Sequence, residues 1–173
     1  MKRLTGLVAL LFLLGGCAAY QLDSAQNDLR TSYASGDFNS TAELIKKLDQ
    51  KDVYQSKDQV LLYLERGMVN HFASNYQESS QYFTEAEQEM DALFTKSVSR
   101  AVKSFVVNDN TLAYDGEDYE DIYLNIFKSL NYIHMNDFEG ALVEVRRVNY
   151  KLDRLEQKYS GLVESLSKAD TTT

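Results

Sequence analysis

Three short strings in this chain share one plan. Gly36-Asp37-Phe38 is followed by Thr41, Ile45 and Leu48. Ser74-Asn75-Tyr76 is followed by Ser79, Phe83 and Ala86, and Asn136-Asp137-Phe138 by Ala141, Val145 and Val148. Each has a turn-former, then Asp or Asn, then an aromatic, with small or apolar residues three, seven and ten positions further on. The first residue suits the left-handed conformation that ends a helix. Asp or Asn then accepts a backbone N–H and starts the next helix. The aromatic wedges between the two helices, and the small residue lets them approach. Punctuation of this kind predicts antiparallel helical hairpins.

Composition agrees. The 173 residues contain no Pro and eight Gly, only five of them beyond residue 16. A fold rich in β-turns needs more of both. With 44% hydrophobic and 25% charged residues the chain is globular, and at this size it buries roughly two-thirds of its unfolded surface. Amphipathic spacing marks helices at Val60, Leu61, Leu64, Met68 and Phe72, and again from Met90 to Phe105. The clearest stripe is Tyr119, Ile122, Tyr123, Ile126, Phe127, Leu130 and Ile133. The fold class is therefore all-α, and the hairpin logic resembles tetratricopeptide (TPR) repeats. Gly67, nine residues before Tyr76, stands where such a repeat needs a small residue on its first helix. The early Trp of the consensus is missing from every copy. Spacing is uneven, 38 residues from Phe38 to Tyr76 but 62 from Tyr76 to Phe138. A unit of about 34 residues leaves room for an extra helix near 91–107 and a loop near 108–116. Ala141, Val145, Val148, Leu152, Leu155, Tyr159, Leu162 and Leu166 form a heptad seam. It predicts a long C-terminal helix from about Glu139 to Ser167, ~43 Å against ~28 Å for a hairpin partner over Glu117 to Met135. Tyr159, Leu162 and Leu166 would then overhang, to be covered by the first helix, a second copy or another protein. An intermolecular cover is the expectation.

The start of the chain has a different character. Lys2 and Arg3 precede an apolar run from Leu4 to Leu14, then Leu14-Gly15-Gly16-Cys17. The run is shorter than the roughly 20 residues that span a bilayer and has the form of a secretory leader. Its end resembles a bacterial lipobox, which implies cleavage before Cys17 and acylation of that residue. Ala18, rather than Asp, implies sorting to the outer membrane. The expected organisation is a leader over 1–16, a tether over 17–22, a TPR-like helical domain over 23–167 and a tail over 168–173. Beyond residue 16 the chain carries 16 basic and 26 acidic side chains, a net of −10, which argues against nucleic acid. A single Cys excludes an intramolecular disulfide and paired zinc thiolates.

Asp115, Glu117, Asp118, Glu120 and Asp121 crowd one turn. The register fails for a calcium loop. A glycosidase pair needs carboxylates from opposite sides of a cleft. For Asp118 and Asp121 the positive end of a helix dipole is explanation enough, at about 0.3–1 kcal/mol each. An envelope hydrolase using residues 115–121 remains the alternative function. His71 and His134 each follow an apolar helical face and read as core-edge residues, so neither a metal nor a cofactor is expected.

The run Tyr114-x-Gly116-x-x-Tyr119-Glu120, then Leu130-Asn131-Tyr132-Ile133 and Asn136 to Arg147, resembles a family of uncharacterised proteobacterial lipoproteins with TPR-like helices. The resemblance implies a cell-envelope role near peptidoglycan synthesis, since relatives tend to occur beside penicillin-binding-protein activator lipoproteins. Hairpin geometry pairs residue 119 with 154 and 126 with 147. It predicts an ion pair between Arg154 and Glu120, and leaves Arg146 and Arg147 opposite Ile126 and Phe127 with no acid. Arginines so placed can hold a partner's carboxylate bidentately. Candidate partner contacts are Tyr114, Gly116, Glu117, Glu120, Glu144, Arg146, Arg147, Tyr159, Leu162 and Leu166. The expected function is a periplasmic protein-binding scaffold, held to the outer membrane by a lipid on Cys17. Its partner would be another envelope protein or a second copy through the C-terminal helix. A structural subunit of a larger envelope complex is a further alternative.

Overall fold

Each of the three recurring strings forms a tight turn between two helices. Gly36, Ser74 and Asn136 adopt positive φ of 75°, 65° and 60°. In each, the turn residue's N–H returns to the helix just ended, on Tyr33, His71 and Ile133 respectively. The next carbonyl, of Asp37, Asn75 or Asp137, accepts the first bond of the following helix from Thr41, Ser79 or Ala141. Asp37 also caps Ser40 N at 3.0 Å, and Asp137 caps Gly140 N at 2.9 Å.

The computed structural model describes residues 22–101 and 113–170, with side chains over 22–94, 113–157 and 159–160. Among these residues there is no strand. The helices are α1 (22–35), α2 (Phe38–Gln50), α3 (Gln59–Phe72), α4 (Tyr76–Ala101), α5 (Asp118–His134) and α6 (Phe138–Asp170), with a 3₁₀ turn at Ser56–Asp58. They pair as hairpins α1–α2, α3–α4 and α5–α6 and stack in chain order, α2 on α3 and α4 on α5. The fold is all-α and built of helical repeats. The leader and Cys17 lie outside the described residues. Among those described, no helix is long and apolar enough to cross a membrane.

Two apolar clusters hold the stack. Leu29, Ile45, Tyr54, Leu62 and Val69 join α1, α2 and α3. Val60, Phe83, Met90 and Leu124 join α3, α4 and α5. The small residue of each motif is buried, Thr41, Ser79 and Ala141 alike. Gly67 shows why the repeat needs one: a Cβ there would lie 2.6 Å from the Phe83 ring, and Ser79 Oγ donates to Gly67 O at 2.7 Å. The +7 position is buried in the first two hairpins, at Ile45 and Phe83, but Val145 in the third is exposed.

Two expectations need correction. No separate helix fills the second gap over its described part. The helix begun at Tyr76 runs on unbroken to Ala101, because residues 91–101 continue its turns with no intervening breaker. Residues 102–112 lie outside the described residues. The second correction concerns α5, whose apolar stripe is only partly buried: Phe127 packs on Phe83 and Ile122 and Ile126 are half-buried, but the most buried side is polar. Leu124 is buried there with four polar residues, Asn125, Lys128, Ser129 and Asn131, while Tyr119, Tyr123, Leu130 and Ile133 are exposed.

Candidate functional site

The inverted α5 is explained by what it meets. A polar stripe at helical spacing is buried only if each group finds a partner, and α4 and α6 supply them. Lys128, 3% exposed, lies between Glu87 of α4 at 3.3 Å and Glu144 of α6 at 3.2 Å. Lys151 of α6 joins Glu87 at 2.7 Å and Asp121 at 2.6 Å. Arg147 reaches Glu87 at 3.5 Å. Asn125 donates to Glu144 at 2.6 Å and Glu87 at 3.2 Å, and its Oδ1 has no partner among the described residues. Burial alone would raise the Glu87 carboxyl. The Lys151 hydrogen bond and charge, with Lys128 and Asn125, outweigh it and hold Glu87 below the ordinary carboxylate range. Further along α5, Asn131 donates to Ser79 at 2.8 Å and Ser80 at 3.1 Å, and its Oδ1 faces His71 Nδ1 at 2.6 Å.

The acidic turn opens onto a cleft of about 510 Å³ between α4, the start of α5 and α6. Gly116 and Glu117 line it, with Asp118, Asp121, Lys151 and Arg154. Apart from the exposed Asp115, its carboxylates are engaged within the fold. Glu117 and Glu120 form a reciprocal capping box that starts α5. Tyr114 donates its hydroxyl to Glu120. Burial, then that carboxylate, pushes the Tyr114 phenol well above the ordinary tyrosine range, so it stays a donor. Asp121 holds Lys151, and Tyr159 donates to Asp118 at 2.9 Å. Among the described residues, no group of three or more His, Cys, Asp or Glu is placed to hold a metal ion.

The other candidate contacts divide. Glu144 is buried in the ion network, and Arg147 pairs with Glu87 across the hairpin face. The sequence-level pairing of α5 with α6 alone could not show that acid, because it comes from a third helix. Arg146 is exposed and makes no ion pair among the described residues. Arg154 stands over the Phe94 and Tyr150 rings rather than against Glu120. Tyr159 does not overhang, since its hydroxyl reaches the first turn of α5. The side chains of Leu162 and Leu166 lie outside those described. His71 and His134, which sequence spacing did not connect, come within 6.3 Å of each other between ring centroids, and His134 stacks on Tyr76 at 4.4 Å.

On the side away from α4, the last hairpin is apolar. Tyr119, Tyr123, Leu130 and Ile133 of α5 and Phe138, Leu142, Val145 and Leu152 of α6 are between 39% and 61% exposed. The three wedge aromatics differ in what they meet. Phe38 of α2 stacks on Phe72, at the end of α3, with centroids 5.0 Å apart. Tyr76 of α4 stacks in the same way on His134, at the end of α5. Phe138 of α6 is the third such wedge, and it is 61% exposed. No family model, curated protein or solved structure matches the chain. Nothing in the sequence distinguishes the outward apolar stripe of α5 from a core stripe, because both have the same period.

Proposed function

We propose that this protein is a periplasmic scaffold, anchored to the outer membrane by a lipid on Cys17, that binds protein through the outward face of its last hairpin. One observation carries the reading. The outward face of this hairpin carries two apolar stripes and an exposed wedge aromatic, Phe138, that meets no ring among the described residues; a contiguous exposed apolar patch marks an interaction site. The lipobox-like Leu14-Gly15-Gly16-Cys17 supports the anchor. The resemblance to proteobacterial lipoproteins supports a place in the cell envelope near peptidoglycan synthesis. The hydrolase alternative draws no support from the cleft, whose Glu117, Glu120 and Asp121 already cap or pair.

The test is photo-crosslinking in cells, with the full chain carrying a photoreactive residue at Tyr123 or Leu142, and at exposed Glu43 of α2 as control. Discrete protein adducts at the first two positions and none at Glu43 are expected. Equal or absent adducts at all three would reject the scaffold reading.

A further inference from the structure

We propose that the occupant of this face is a second copy of the chain, docked antiparallel about a two-fold axis that passes by Asn149. The proposal rests on the scaffold reading above, because it uses the same apolar face.

The exposed area supports this. Side chains of this size, each about half exposed, leave roughly 800–900 Å² of surface in water, given that an aromatic side chain alone can bury about 150–250 Å². The largest patch on a typical monomer is about 300–600 Å², and a stable complex buries about 800 Å² per partner.

The face is also self-complementary, as a two-fold interface requires. The outward stripe of α6 runs from Phe138 to Tyr159 in steps of four and three, with exposed Asn149 at its centre. Read in reverse it is nearly the same stripe. Phe138 and Tyr159 end it, and Val145 and Leu152 flank Asn149. Antiparallel pairing sets Val145 of one copy against Leu152 of the other, and the exposed Phe138 against Tyr159 of the other copy. Leu142 against Glu156 is the one mixed pair. Asn149 meets its own copy, and a lone polar residue in an apolar seam specifies register.

The same axis also suits α5. The contacts Lys151–Asp121 and Glu144–Lys128 set the hairpin register and bring Asn149 level with Tyr123. The axis therefore crosses α5 near the stretch from Tyr123 to Ile126, and Tyr119 and Leu130 lie four residues outside it on either side.

Charge agrees with this pairing. Arg146 and Asp153, both exposed, follow Val145 and Leu152 by one residue. Antiparallel docking sets Arg146 of each copy beside Asp153 of the other. Parallel docking would set Arg146 beside Arg146 and Asp153 beside Asp153, and like charges so placed reject the register.

The experiment uses the full chain, in cells and purified in mild detergent. Wild type is expected to sediment at twice the chain mass, and Asn149→Cys to form a covalent dimer with a short bismaleimide that wild type does not form. Coexpressed Phe138→Cys and Tyr159→Cys chains should crosslink to each other, and neither to itself. Arg146→Asp should weaken dimerisation by about tenfold or more, and adding Asp153→Arg to it should restore wild-type affinity to within about threefold. All these positions are exposed, so unchanged helicity and melting of the charge variants separate loss of docking from loss of fold. A monomeric wild type overturns the proposal, as does self-crosslinking of Phe138→Cys or failure of the charge swap to rescue. If the chain is monomeric but photo-crosslinks at Tyr123 and Leu142 join it to a different protein, the second-copy proposal falls and the scaffold reading stands. If neither kind of adduct forms, both fall.

Discussion

Lys128→Met tests the buried network at its centre. The methionine keeps most of the volume and removes the ammonium that lies 3.3 Å from Glu87 and 3.2 Å from Glu144. Breaking a buried pair costs about 3–5 kcal/mol, because the remaining charge stays desolvated. Here two carboxylates lose a cation, but each keeps other partners. Glu87 retains Lys151 at 2.7 Å, and Glu144 retains the Asn125 amide at 2.6 Å. The lower end of that range, about 3 kcal/mol at neutral pH, is therefore expected. For a chain of this size that lowers Tm by roughly 6–12 °C. The pH dependence has a definite sign. Glu87 is held below the ordinary carboxylate range in the fold. Its contribution to stability is thus present above the unfolded-state value and is lost as pH falls through the lowered folded value. Without Lys128, a buried carboxylate takes up a proton more readily. The gap between wild type and variant should accordingly be widest near about pH 7 and close towards about pH 4. Adding Glu144→Gln to Lys128→Met should recover about 1 kcal/mol or more. Urea and thermal unfolding followed by far-UV circular dichroism measure each quantity. A loss below about 1 kcal/mol, or one that persists unchanged in acid, would refute the claim that these charges are coupled in the folded state.

Three further outcomes are expected. Gly67→Ala places a Cβ 2.6 Å from the fully buried Phe83 ring; overpacking of about 1–3 kcal/mol exceeds the helix-propensity gain of at most ~1 kcal/mol, so urea unfolding should show a net loss. Ser74→Gly relieves a left-handed serine at φ 65° and should raise stability by up to about 1 kcal/mol, while Gly36→Ala, at φ 75°, should lower it by a similar amount; opposite signs at the two turns are the check. Cys17→Ser should move the protein from the membrane to the soluble fraction or leave it unprocessed, and wild-type fractionation of that variant would exclude the lipid anchor.

The turns were legible because their chemistry is local. Gly36, Ser74 and Asn136 take the left-handed conformation, and Asp37 and Asp137 accept helix-starting N–H groups, through contacts within a few residues of chain. Gly67 was legible for a related reason, since a fixed offset from Tyr76 places it where two helices approach. The pairing of Glu120 with Arg154 was misread because the competing partners of both side chains, Tyr114 and the Phe94 ring, could not be placed from hairpin register. Arg147 lacks an acid on α5, as spacing implied, yet finds Glu87 on α4.

Local sequence thus determined the punctuation of the chain and its helical class, because capping, left-handed turns and close approach act over a turn or two. Which side of α5 faces inward was decided only by the tertiary stack. An amphipathic α5 has two faces of equal period, and its pattern alone would bury Tyr119, Tyr123, Leu130 and Ile133. Packing instead buries Asn125, Lys128 and Asn131, because Glu87, Ser79 and Ser80 of α4 and Glu144 of α6 stand ready to bond them. Those partners are 16 to 52 residues away in the chain. Helical periodicity reports that a face is distinct and carries no information on what lies opposite it.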